Sequence, residues 1–231
     1  MATSAKPKLL SRKLVADGLS PVSIFHALLP SQRYAFLLES VTGGDTRGRY
    51  SIIAIDPDLI WRCKDGKAEI ETEQGITPCD EKPLVTLEKL IAENRMEIPD
   101  GLPPMAAGLI GMMGYEMVRE VEHLPSDKDG PSGLPDGCFM RPRLTLIHDN
   151  ANDSLTLAAP VWHGQDEAAA IARIDATVAQ LQKITPLPPV DATRPVLPVD
   201  YVTNLSRNGF MQVVEQAKEY IRAGEIFQIV P

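Results

Sequence analysis

Five prolines, Pro186, Pro188, Pro189, Pro195 and Pro198, fall within thirteen residues. Proline fixes φ and lacks a backbone N–H, so neither a helix interior nor a central strand passes through such a run. Few core-forming side chains accompany them, and the segment reads as a stiff linker over 186–198. It divides the 231-residue chain into a large segment, 1–185, and a short one, 199–231. The chemistry on either side narrows the field further. The chain has 31 acidic against 23 basic residues, a net charge of −8 and no basic cluster, which argues against phosphate-backbone binding and hence against a nucleic-acid partner. Its most apolar stretch, Pro104 to Tyr115, is about twelve residues against the roughly twenty that span a bilayer. With 44% hydrophobic and 23% charged residues, the composition is that of an ordinary folded protein.

In the large segment, strand signals dominate. Ser20 followed by Pro21 reads as an N-cap with proline at the first helical position, opening a helix over 21–29 that Pro30 stops. Strands are predicted over 34–41 and 49–55, joined by a Gly43-Gly44-Asp45 turn, and over 59–63 and 67–73, flanking the hairpin pair Asp65-Gly66. Leu84, Leu87, Leu90 and Ile91 recur at helical spacing and predict a helix over 83–96. The apolar run 105–113, with Gly108, Gly111 and Gly114 nearby, predicts a buried strand that something approaches closely. A helical turn over 115–122 and a surface loop over 125–137 follow. Next come a hairpin, 138–148 and 155–162, hinged at Asp149-Asn150, and a helix capped by Asp166. Hairpins with occasional helices predict an α+β fold, an antiparallel sheet domain with flanking helices. Beyond the linker, Phe210, Val213, Val214, Ala217 and Ile221 predict a helix ended by Gly224, and 226–230 a strand. One helix and one strand bury too little surface to stand alone, so the reading expects the opening of a second domain and an N-terminal portion of a longer protein.

No local motif names a chemistry. Cys63, Cys79 and Cys138 are far apart, with no CxxC pair, and read as reduced thiols; with no apolar leader in the first residues, the expected location is the cytoplasm. Asp127-Lys128-Asp129-Gly130 lacks the later ligands of a calcium loop, and the glycines at 108, 111 and 114 are not a dinucleotide fingerprint. His26, His123, His148 and His163 are isolated in sequence and read as structural or solvent-facing.

Four segments taken together resemble the component I family of anthranilate synthases, which use chorismate. They are Phe36-Leu37-Leu38-Glu39-Ser40; Gly48-Arg49-Tyr50-Ser51; the run from Gly108 to Arg119 with Gly114-Tyr115-Glu116 at its centre; and the unit from Phe210 to Pro231 containing Ala217-Lys218-Glu219-Tyr220-Ile221 and Gly224-Glu225-Ile226-Phe227-Gln228. Order and spacing agree from about Val22 to Pro231. The resemblance implies a lyase of tryptophan biosynthesis: a glutamine amidotransferase partner, component II, releases ammonia, which is added to chorismate before pyruvate is eliminated. It implies Mg²⁺ as a cofactor with ligands downstream of Pro231 and no metal site in this chain, tryptophan as feedback inhibitor, and 199–231 as the truncated start of a chorismate-binding domain. It places Ser40, with Glu39, Arg49 and Tyr50, in the tryptophan site, and Gln228 at an active-site position. A neutral amide cannot act as a base near neutral pH, which suits Gln228 to ammonia rather than water as nucleophile. Taken without the resemblance, Ser40 is a turn residue at a strand end, Glu39 a solvated charge and Gln228 a polar edge residue. Two other readings stay open at this point: aminodeoxychorismate synthase component I, and a non-catalytic module that binds tryptophan or a partner.

Overall fold

The computed structural model describes residues 7–42, 46–124, 133–185 and 202–230. The chain separates into two compact units, Met1–Leu187 and Pro188–Pro231. The proline run, the Gly43-Gly44-Asp45 turn and the Asp127–Gly130 stretch lie outside the described residues.

The first unit is α+β, as the sequence predicts, and its spine is β3 (Thr46–Lys64), a strand of 19 residues. The sequence predicts two strands here, broken near Pro57. The break does not occur because the ladder absorbs the excess residue as a bulge: Pro57 pairs with Pro142 and Leu59 with Arg141, leaving Asp58 extra. Asp56 takes a φ of 52° beside it, a region that non-glycine residues avoid. Its N–H donates to Gln32 Oε1 at 3.0 Å, and its carboxylate accepts from Arg173 Nε at 2.7 Å, so the strained residue is held from both ends.

Antiparallel partners surround this spine. Along the sheet run β1 (Lys8–Val15), β8 (Ser154–Val161), β7 (Gly137–Asp149), β3, β4 (Lys67–Thr72) and β5 (Gly75–Pro78), while β2 (Ala35–Thr42) pairs with β3 and β6 (Ile110–Met113) with β7. Two of these, β1 and β5, are absent from the sequence expectation. Both are edge strands, β1 carrying Lys8, Arg12 and Lys13 and β5 ending in Pro78, and such residues blunt a free edge while weakening the strand signal. The expected buried strand over 105–113 is corrected to the four residues of β6, preceded by a 3₁₀ turn, Pro104–Ala106. Met112 and Met113 are exposed because β6 pairs on one side only. The close approach expected of the glycines is real: a Cβ on Gly111 would stand 2.1 Å from the Cys138 carbonyl oxygen of β7.

Helices close the sheet. Ser20 caps α1 (Pro21–Leu28) in a reciprocal capping box with Ser23, and Asp166 caps α3 (Glu167–Leu181). Ile24 and Leu28 of α1, Ile174 and Leu181 of α3, and Ile53, Leu146, Leu155 and Leu157 of the sheet form one buried cluster. Around α2 (Pro83–Glu93), Leu87 and Leu90 pack with Leu59, Trp61, Cys63 and Met117 in a second. The helix stops three residues short of the predicted end because Asn94 leaves helical geometry and turns its Nδ2 to the Leu90 carbonyl at 2.7 Å.

The second unit contains α4 (Arg207–Arg222), capped by Ser206, whose Oγ accepts from Gly209 N at 3.1 Å. Its end is a Schellman motif: Gly224, at a φ of 75°, donates to Ile221 O, and Glu225 N donates to Tyr220 O at 3.0 Å. The strand expected over 226–230 does not form; a strand exists only by pairing, and no ladder partner is present among the described residues. No helix of the described residues is long and apolar enough to cross a membrane.

Candidate functional site

The four residues assigned to one ligand site by resemblance lie on neighbouring strands at a place where the sheet opens. Glu39 of β2 pairs with Ser51 of β3, but the next pair is Val41 with Arg47. One residue of β2, Ser40, therefore faces three of β3: Gly48, Arg49 and Tyr50. The side chains of residues 40–47 lie outside the described residues, so Ser40 is placed by its backbone alone. Glu39 is exposed.

Arg49 is fixed by the far end of β7. Its Nε and Nη2 donate to the Asp149 carboxylate at 3.2 and 3.0 Å, and its guanidinium carbon lies 4.9 Å from the Tyr50 ring centroid. Nη1 has no bond among the described residues. Tyr50 itself is half-buried against Ala106, Ile147 and Ala158. Beside Arg49 lies a cleft of about 780 Å³, walled by residues 16–21 on one side and by Gly48, Arg49, His148, Asn150, Ala151 and Asp153 on the other. The His148 ring is buried and its Nε2 lies 3.0 Å from the Leu19 carbonyl. A carbonyl only accepts, so Nε2 carries the proton, and Nδ1 meets no protein partner among the described residues. A cleft with a half-satisfied guanidinium at its mouth suits a small ligand that carries a carboxylate.

Electrostatics at this corner yield a prediction. The Arg49 hydrogen bond, aided by Asn152 and the Ala151 N–H, holds the Asp149 carboxyl below the usual carboxylate range. A carboxyl lowered in the folded state contributes stability above its unfolded value, roughly 3.9, and that contribution is lost as pH falls through the lowered value. Arg49→Gln removes the largest cause of the lowering. The thermal midpoint of the variant, followed from pH 7 to pH 2.5 at low salt, is expected to lie below that of the wild type near neutrality, with the two curves converging in acid. A gap that stays constant across the series would show that the pair does not set the acid limb.

Gln228 belongs to the second unit, exposed, in the segment after α4 that lacks strand pairing. The sequence alone shows Asp149-Asn150 only as a hairpin hinge and His148 only as an isolated histidine. The signal available was two side-chain hydrogen-bonding residues at a strand end, which says "turn" and cannot say what the turn grips. Among the described residues no three histidine, cysteine or carboxylate side chains converge to hold a metal ion, so these residues do not fit Mg²⁺.

Residues 34–231 match the family model described as chorismate binding enzyme. Anthranilate synthase component 1 of Cereibacter sphaeroides is 43% identical over 231 residues, which is 95% of this chain and 46% of the relative. The protein of the same name from Thermus thermophilus is 34% identical over 219 residues, covering 95% of this chain and 45% of that one. The crystal structure of anthranilate synthase component I from Streptococcus pneumoniae TIGR4 superposes with a TM-score of 0.58 at 20% identity, over 91% of this chain and 45% of that chain, a likeness of fold. This chain thus spans about half the length of the curated relatives it matches.

Proposed function

Because the chain belongs to the chorismate-binding enzyme family, we propose that its gene product acts as component I of an anthranilate synthase, a lyase that adds ammonia to chorismate and eliminates pyruvate. The observation that carries this reading is the 43% identity across 95% of the chain to a relative of that name. The two relatives of 43% and 34% identity share the name, which favours anthranilate over an aminodeoxychorismate product and an enzyme over a purely regulatory module. A glutamine amidotransferase subunit would supply the ammonia and Mg²⁺ would be required, its ligands expected downstream of Pro231. Gln228 would stand near the incoming nitrogen, where a neutral amide hydrogen-bonds without competing as a base. The 231-residue chain by itself is expected to form no anthranilate from chorismate, Mg²⁺ and ammonia.

The corner at Ser40 and Arg49 is proposed as the tryptophan site that regulates this reaction. Support comes from a guanidinium whose Nη1 has no partner among the described residues and could meet an α-carboxylate, an aromatic neighbour in Tyr50 and a carboxylate, Glu39, on the adjoining strand for the ammonium. Ser40→Phe, assayed in the gene product with its amidotransferase, is expected to raise the half-inhibitory concentration of tryptophan by about five- to a hundredfold, the equivalent of roughly 1–3 kcal/mol for an unpaired buried group. Turnover of chorismate without tryptophan is expected to change far less, since coupling between sites is separate from the chemistry. An unchanged half-inhibitory concentration would remove Ser40 from the site.

A further inference from the structure

Where three residues of β3 face one of β2, the ladder stops serving the backbone of Gly48 and Arg49, and something else must satisfy it. That role falls to one residue in the turn after β7. Asn150 donates its Nδ2 to the Gly48 carbonyl at 2.9 Å and to the Ser51 hydroxyl at 3.2 Å, while its own backbone N–H donates to the Arg49 carbonyl at 2.7 Å. A carbonyl cannot donate, so the amide orientation is fixed by its partners. The next residues hold the Arg49 side chain: Ala151 N and Asn152 Nδ2 orient the Asp149 carboxylate at 3.1 and 2.7 Å, and that carboxylate orients the guanidinium. The other cleft wall is tied to the same turn, through Ala16 N to the Asp153 carbonyl at 2.8 Å.

We propose that Asn150 is a positioning residue: by holding the backbone of Gly48 and Arg49 it sets where the Arg49 guanidinium meets the carboxylate of a ligand in this cleft. The inference rests on the proposed regulatory site and deepens it, because it gives a part in carboxylate recognition to a residue that acts through the backbone of Gly48 and Arg49. An amide two bonds from its backbone is required here: alanine lacks the donor, and aspartate presents an oxygen to the Gly48 carbonyl.

The test measures binding of tryptophan and of tryptamine, which lacks the carboxylate, by calorimetry to the natural gene product as wild type, Asn150→Ala and Asn150→Asp. Tryptophan affinity is expected to fall by about tenfold in both variants and tryptamine affinity to stay within about twofold. Equal losses for both ligands would mark a structural lesion and overturn the proposal, as would no loss for either. If the wild type binds neither compound, the tryptophan reading fails, and amide hydrogen exchange decides the positioning claim by itself. Exchange of the Arg49, Tyr50 and Ser51 amides at least about tenfold faster in the variants, with Ile60 to Cys63 unchanged, upholds it. Unchanged exchange at Arg49 overturns it.

Discussion

Arg141→Ala is expected to lower the thermal midpoint by about 6–20 °C, taking roughly 3–5 kcal/mol for a broken buried pair and about 2–4 °C per kcal/mol in a domain of this size. The Arg141 guanidinium grips both oxygens of Asp58 at 2.7 and 2.9 Å, donates Nη1 to Asn94 at 2.6 Å and stacks over Trp162 at 5.3 Å. Asp58 is the bulge residue of β3, and its side chain is only 6% exposed. Removing the arginine leaves that carboxylate buried with Gln165 as its remaining side-chain hydrogen-bond partner among the described residues. The cost is thus a stranded charge more than a lost attraction, and a matched change tests this: Arg141→Met combined with Asp58→Leu is expected to recover most of the loss. A double variant no better than Arg141→Ala, measured by calorimetry, would show instead that the ion pair itself holds the bulge.

Trp61→Ala is the second large effect, about 3–5 kcal/mol. Trp61 is fully buried in the cluster under α2, its ring centroid 6.1 Å from that of Phe139, and its Nε1 donates to Thr86 Oγ1 at 2.9 Å. Trp61→Phe keeps most of the volume and loses the hydrogen bond, so it is expected to cost only about 1–2 kcal/mol. Denaturant midpoints of the two variants separate cavity from hydrogen bond; equal losses would contradict the view that volume dominates here.

The elements that sequence reasoning found are those whose signal is local. Ser20-Pro21, Asp166 and Gly224 mark helix ends by their own side chains or their lack of one, and all three stand where predicted. What it missed depends on partners far along the chain. Pro57 looks like a strand break until Arg141 and Gln32 are seen to hold its neighbours, and the strand expected at Ile226–Val230 needs an edge to pair with. At the candidate site, Arg49 and Tyr50 were legible only through resemblance. Their anchor, Asp149, lies a hundred residues away and no spacing rule connects the two.

One assay bears directly on the proposed chorismate chemistry. The natural gene product is incubated with chorismate, Mg²⁺ and an ammonium salt, anthranilate is followed by its fluorescence, and tryptophan is titrated into the reaction. Anthranilate formation that tryptophan suppresses is expected, and none from the 231-residue chain alone. Conversion of chorismate to an aminodeoxychorismate, or no conversion under these conditions, would contradict it.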